Sequence, residues 1–399
     1  MPNDAQGPSS SSSGWWAPPA IIALAAVCFG IARFAYGNVV PAVRETFELD
    51  APVLGLLGAV GPLGYLAAII AGWIVTDRLG ARAALTVAGL VAALGLGTVA
   101  AATNLPTLMV GMFVTGTSTA LSLPAILTLI VAAQEEWPTE RLSVILANGT
   151  GVGVALTALL GLAAPGGWQL AWAGFAAVAL LTTLWVRRTL PRVDTDAVGG
   201  LPDQIVRVGD PPSRPIGLAL AGAGLGIASS AVWVFGLDVV GGTATSDAGV
   251  GSTWLWLLIG VALPLPTIVG DVAHRVGIRP AWTPAMLILA AATASLGVTP
   301  PRWGLVLTAV PAFGASYTVA TGALLRWGTW TATDRPTDGI RFALLWIVIG
   351  HTIGAAVVGE LLNALDAEQA LLWMAAVAVL ASLLGPLHGR DGQPRHRPN

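Results

Sequence analysis

Apolar stretches long enough to cross a bilayer recur along the whole chain, and no other feature limits the fold as much. A crossing helix needs ~20 predominantly apolar residues. Such stretches run at 18–43, 52–75, 82–103, 106–132, 141–164 and 168–187, and again at 216–240, 253–272, 280–299, 303–327, 339–363 and 369–387. Turn residues and charges separate them, as expected at helix ends. Successive ten-residue segments show no period-two alternation, so the pattern is helical and not that of a barrel. Composition agrees, with 55% of the 399 residues hydrophobic, 10% charged and a mean hydropathy of +0.76. Soluble domains carry roughly a quarter charged residues. The expectation is an all-α polytopic membrane protein with twelve transmembrane helices. That excludes a soluble enzyme and a single-span receptor.

Polar segments divide these helices into two sets of six. Residues 1–17 contain Ser9 to Ser13 in a row and no basic residue, so they lack the charged region of a secretory signal. Leu24 to Cys28 faintly resembles a lipoprotein cleavage box, but Val27 is too large for the position before the cysteine. The first apolar stretch is therefore expected to be an uncleaved span behind a disordered cytoplasmic tail. Residues 188–215 carry Arg188, Asp194, Asp203, Arg214, Pro191, Pro202, Pro211 and Pro212. Such material cannot bury enough apolar surface to order itself and reads as a cytoplasmic linker. The expected organisation is an N-terminal bundle over 18–187, a C-terminal bundle over 216–387 and a cytoplasmic tail over 388–399.

Arginine placement tests that topology. All 19 basic residues are Arg. With both termini in the cytoplasm, sixteen fall in cytoplasmic segments, only Arg44 and Arg302 fall in outer loops, and Arg33 lies inside the first span. This is a strong positive-inside bias. The net charge of -2 and the lack of a basic run give no footing for nucleic acid. The halves also echo one another. Gly30-Ile31-Ala32 recurs as Gly226-Ile227-Ala228, and the loop Asp77-Arg78-Leu79-Gly80-Ala81-Arg82 is matched by His274-Arg275-Val276-Gly277-Ile278-Arg279. Parallel six-helix repeats with a midplane site between them are a recurrent transporter architecture.

The segment Gly72-Trp73-Ile74-Val75-Thr76-Asp77-Arg78-Leu79-Gly80-Ala81-Arg82 resembles the loop 2–3 signature of the major facilitator superfamily, Gly-x-x-x-x-Asp-Arg-x-Gly-x-Arg. Pro138-Thr139-Glu140-Arg141 before span 5 and Gly167-Trp168-Gln169-Leu170-Ala171-Trp172 before span 6 add to it. Gly30-Ile31-Ala32-Arg33-Phe34-Ala35-Tyr36, followed by Pro41, is similar to a poorly characterised bacterial branch with an Arg in span 1. The resemblance implies two pseudo-symmetric six-helix bundles, the major facilitator fold, in a bacterial cytoplasmic membrane. A monomer is expected. It also implies a conformational latch. There Asp77 would face a helix N-terminus across the halves, and Arg78 and Arg82 would pair with inner-face acids such as Glu135, Glu136 or Glu140. Gly72, Gly80, Arg141, Arg275 and Arg279 belong to the same set. The alternative is a basic loop that only sets topology. Two departures stand out: Met112 lies four residues before Gly116, where the family often has an Arg, and Gly149 to Val154 lacks the Pro common in exporters.

Arg33 is the sharpest candidate for chemistry. It sits about 15 residues into its span, near midplane at 1.5 Å per residue. An Arg there costs ~2.5–3.5 kcal/mol on insertion scales, so it should face the protein. Gly30, Arg33, Gly37 and Pro41 form a stripe at three- and four-residue spacing that admits neighbouring helices. A guanidinium in a cavity suits a carboxylate or phosphate, and a structural Arg tied to carbonyls or a buried acid is the alternative. His351, also near midplane, is a candidate substrate ligand or proton carrier, or a neutral bridge between helices. Asp238 and Glu360, toward the outer ends of their spans, are the other proton-coupling candidates; helix caps or interface pairs are the alternative. Glu360 lies about 180° round the helix from His351, so the two do not share a face. Tyr36, Ser118, Asn148, Ser229, Trp233 and Tyr317, with Thr115, Ser230 and Trp346, complete a candidate substrate cavity, each being helix-packing glue otherwise.

The four His, at 274, 351, 388 and 396, offer no two-ligand spacing, and a chain without Lys has no Gly-x-x-x-x-Gly-Lys loop. Neither metal nor cofactor is expected, nor an enzyme. The sequence points to a secondary active transporter of a small solute, expected to be an organic anion, with protons as candidate coupling ion. The alternatives are a multidrug or lipophilic-cation exporter of the same fold and a transporter-like sensor that moves nothing.

Overall fold

The computed structural model describes residues 17–132, 142–163, 167–190, 215–241, 248–268, 275–298, 301–332 and 336–385. Among them every regular element is a helix. The first, α1, is continuous: α-helical over Ala17–Ala25, π-helical over Ala26–Ile31 and α-helical again over Ala32–Phe47. It is followed by α2 (Ala51–Leu79), α3 (Ala81–Ala100), α4 (Leu105–Ala132), α5 (Leu142–Ala163) and α6 (Trp168–Thr189). The second half holds α7 (Pro215–Gly241), α8 (Ala248–Ala262), α9 (Ile278–Gly297), α10 (Trp303–Thr331), α11 (Pro336–Ala364) and α12 (Ala367–Ser382). A four-residue helix, Leu265–Ile268, follows α8. Ten helices among the described residues are long and apolar enough to cross a membrane. The two that fall short are apolar too: α8 has 15 residues and α12 has 16. The tail before 17, the linker over 191–214, the C-terminal tail, Arg141, His274 and the acids Glu135, Glu136 and Glu140 lie outside the described residues.

Helix ends follow local chemistry. Asp50 caps α2 by accepting from Val53 N at 3.0 Å, and Asp366 caps α12 by accepting from Gln369 N at 2.7 Å. Between α2 and α3 the chain reverses at Gly80, with φ 79° and its N–H on Thr76 O at 2.9 Å. Gly277, before α9, has φ 96°. L-residues resist that conformation, so both echoing loops need their glycine.

Packing repeats with a shift of six helices. In the first half α3 packs on α4 and α6, α2 on α4, and α1 on α5 and α6. In the second, α9 packs on α10 and α12, α8 on α10, and α7 on α11 and α12. Three seams join the halves: α2 with α11, α5 with α8, and α1 with α7. The six-helix shift exchanges the first two and returns the third to itself, so α1 and α7 lie on the pseudo-symmetry axis. Without water to drive them together, membrane helices associate through close backbone approach at small residues. Gly37 has no room for a Cβ against the Trp233 carbonyl, and one on Gly55 would lie 2.6 Å from Ala355 O. Large apolar side chains such as Ile70, Leu94 and Leu181 stand exposed on the periphery, where hydrocarbon covers them.

The small-residue stripe on α1 serves two neighbouring helices. Gly30 meets Gly153 of α5, whereas Gly37 meets α7. Just before Gly37's turn lies the π segment, whose wider turn holds one residue more than an α-turn and is common at functional sites. Within it, Cys28 O accepts a hydrogen bond from the Thr119 hydroxyl of α4 at 2.5 Å.

Candidate functional site

Three of the buried polar atoms left without a hydrogen bond among the described residues lie at or beside the α1–α7 seam. Arg33 points its guanidinium carbon to within 5.0 Å of the Phe34 ring centroid, and its Nη2 is buried with no hydrogen-bond partner. Trp233 of α7 is 1% exposed and His351 of α11 is 4% exposed. Trp233 Nε1 and His351 Nδ1 are likewise buried and unpartnered. Phe34 links the three. It stacks on Trp233 with centroids 4.0 Å apart and meets the His351 ring edge-on at 6.4 Å. An unpaired buried donor costs about 1–3 kcal/mol, and folded proteins hold few. Two such donors, with an imidazole nitrogen that can donate or accept, belong to side chains that meet one phenyl ring and suit a polar partner.

Those residues line a cavity of about 30 Å³ among α1, α2, α4, α7 and α11. It has room for a water or so, less than any organic solute. Its walls include Tyr65, Met112, Val234 and Val348. Tyr36 lines it as well, but its hydroxyl already donates to Leu54 O at 3.0 Å.

The remaining sequence candidates lie elsewhere. Tyr317 stands behind the site, its ring 5.3 Å from that of Trp233. Ser118 Oγ donates to Thr115 O at 2.7 Å and Ser229 Oγ to Gly226 O at 3.3 Å, each within its own helix and off the cavity. Asn148 Nδ2 donates to Thr267 Oγ1 at 3.2 Å, tying α5 to the short helix after α8. Among the proton-coupling candidates, His351 is the one at the cavity. Asp238 is held by Arg44, with Nη2 to Oδ2 at 2.6 Å and Nε to Oδ1 at 3.2 Å, so the end of α1 is clamped to the end of α7. Glu360 is exposed, beside Leu56 and Leu361 at the α2–α11 seam.

The latch residues are dispersed. Gly72 packs its backbone against Ala120 of α4. Asp77 is half-buried, with no hydrogen bond or ion pair among the described residues, and Arg78, Arg275 and Arg279 are exposed. Arg82 donates to the Arg187 carbonyl at the end of α6, within its own half. The contact between halves at this end comes from one turn earlier: the Arg341 guanidinium of α11 lies over the Trp73 ring, 3.3 Å from its centroid.

Sequence reasoning missed Tyr65 as a site residue and read Met112 only as a departure from a family pattern. Both line the cavity. The signal for Tyr65 was its rarity, since the chain has three Tyr and this one falls in the middle of α2.

Comparison with known proteins identifies the family and the fold. A model of the Major Facilitator Superfamily matches residues 22–333. The chain is 29% identical over 230 residues to the 3-(3-hydroxy-phenyl)propionate transporter of Escherichia coli strain K12, a match covering 57% of this chain. That match spans about half of the relative, 54% of its length. The fold resembles that of the xylose transporter XylE from E. coli, with a TM-score of 0.72 at 15% identity over 94% of this chain and 97% of that one. It also resembles the nucleoside transporter NupG, with a TM-score of 0.70 at 13% identity over 92% of this chain and 96% of that one.

Proposed function

The chain belongs to the Major Facilitator Superfamily, and on that premise we propose that it carries a small organic anion across the membrane by alternating access, with Arg33 as the anchor. One observation carries the reading. Arg33 places a buried guanidinium nitrogen, without a partner, in a cavity on the axis between the two halves. A cation at that depth costs several kcal/mol, and an unpaired one is retained where a ligand completes it. The E. coli relative is named for 3-(3-hydroxy-phenyl)propionate, itself an organic anion. A lipophilic-cation exporter needs an acid at its site. Among the described residues no carboxylate lines the cavity, Asp238 is spent on Arg44, and Glu360 is exposed.

Arginine distribution puts the α1–α2 connection outside. In that orientation the Arg44–Asp238 clamp and the Gly37–Trp233 contact close the outer side over the site, and rocking the halves about α1 and α7 opens it. His351, beside Arg33 in the cavity, is the residue through which a coupled proton would reach the ligand. The test is binding and flux together. Purified protein should be stabilised by organic anions, and vesicles containing it should accumulate the one that binds. Arg33→Gln should abolish both while leaving the melting temperature of the unliganded protein intact. Unchanged transport in Arg33→Gln would remove the anchor from the proposal, and binding without flux would favour a sensor.

A further inference from the structure

We infer that the anion is a monocarboxylate with an apolar body, and that Trp233 and His351 share its carboxylate with Arg33. This rests on the anion reading above and narrows it. Charge sets the first limit. Among the described residues Arg33 is the one Arg lining the cavity and no acid lines it, and the chain has no Lys. A monoanion is neutralised by that one guanidinium. A dianion would bring a second charge into low dielectric with nothing opposite it, at an effective penalty of several-fold RT or more.

The donor inventory sets the second limit. The unpaired nitrogens on cavity-lining residues are Arg33 Nη2, Trp233 Nε1 and His351 Nδ1, and the side chains that carry them all contact the Phe34 ring. An ionised carboxylate only accepts and has about four lone-pair sites, so it can take bonds from Arg33 and Trp233, and from His351 in the tautomer that carries its proton on Nδ1. The rest of the ligand meets other surfaces. Phe34, Met112, Val234 and Val348 present no polar group apart from the Met thioether. The hydroxyls of Tyr36 and Thr119 are already bonded to Leu54 O and Cys28 O. Tyr65 can meet one further polar atom, and the Tyr36 and Thr119 hydroxyls can still accept one. A sugar would strand most of its hydroxyls, which is costly when buried, whereas an alkyl or aryl body suits these walls. Because the closed cavity holds only about 30 Å³, such a body enters when the Phe34–Trp233 stack parts. The flat faces so released suit an aryl group best.

The experiment is a thermal-shift titration of the purified full-length protein. Its probes are benzoate, hexanoate, succinate, phenyl phosphate, xylose and tetraphenylphosphonium. Benzoate and hexanoate should stabilise the protein, with dissociation constants at least about tenfold below those of succinate and phenyl phosphate, and xylose should do nothing. Trp233→Phe keeps the ring stack and removes one N–H, so benzoate should weaken by about tenfold or more, as for a lost bond to a charged group. Met112→Arg adds a second cation to the cavity wall and should turn the preference toward succinate. If succinate or phenyl phosphate binds as tightly as benzoate, and Arg33→Gln abolishes that binding, the monocarboxylate inference is overturned while the anion reading stands. If tetraphenylphosphonium or xylose stabilises the protein regardless of Arg33, both fall. No shift with either monocarboxylate up to about 10 mM, where even weak ligands register, also overturns the inference.

Discussion

The clamp between Arg44 and Asp238 makes the most quantitative prediction. Two charge-assisted bonds, at 2.6 and 3.2 Å, join α1 to α7 at the ends that follow the site. The side chains are 36% and 14% exposed. Unit charges about 4 Å apart attract by ~4 kcal/mol at an effective dielectric of 20. Solvent screening at the more exposed Arg44 and the cost of desolvating Asp238 reduce the net value to about 1–2 kcal/mol. If this energy holds the outer side closed, Asp238→Asn should multiply the open population roughly 5–30-fold. The assay is chemical access to the site. Cys28 is the only cysteine and is buried, so Cys28→Ala gives a background in which Val234→Cys, on the cavity wall, is the single thiol. Its labelling rate by a membrane-impermeant maleimide, applied from the outer face, tracks the open population. Arg44→Gln and Asp238→Asn should each raise that rate. The double exchange Arg44→Asp with Asp238→Arg should restore much of the slow labelling. Single variants that label no faster, or an exchange no slower than the singles, would show that the pair does not hold this gate.

Two further outcomes follow from the backbone and the seams. Gly80→Ala and Gly277→Ala each force a side chain into an extended, positive-φ conformation that is essentially glycine's alone, at a cost of roughly 1–3 kcal/mol, and should lower the melting temperature by similar amounts because the two turns are equivalent. Thr157→Val removes the acceptor of Trp256 Nε1, a 2.9 Å bond from α8 to α5 across the halves. Leaving that buried indole N–H unpaired should destabilise the protein by about 1–3 kcal/mol and speed the labelling of Val234→Cys.

Much of the fold was legible because the bilayer writes it in long apolar runs, and because two loops repeat one glycine turn. What joins the halves was not. Arg44 and Asp238 are 194 residues apart, and each was read alone, one as a loop cation and the other as a candidate proton site. Ser118 and Ser229 look like site residues in a span, yet a serine hydroxyl in a helix can satisfy itself on a carbonyl three residues earlier, and both do. Arg33, Trp233 and His351 were all found from depth and chemistry. Their convergence depends on Phe34, an ordinary apolar residue whose role is visible only when its ring is seen between them. The latch motif fixed a turn in the chain, but its acidic partners fall outside the described residues, while the Trp73–Arg341 contact beside it belongs to no pattern in the sequence.

The π segment also bears on how this chain tolerates insertion and deletion. Elsewhere in a straight membrane helix, losing one residue rotates everything beyond it by about 100° and draws it in by 1.5 Å, so every buried face turns toward lipid. Between Ala26 and Ile31, α1 already carries a surplus residue. Losing one there would heal the helix to ordinary α geometry and leave both flanks facing as they do now, Arg33 included. At that one place in the first span, a change of length need not become a change of orientation.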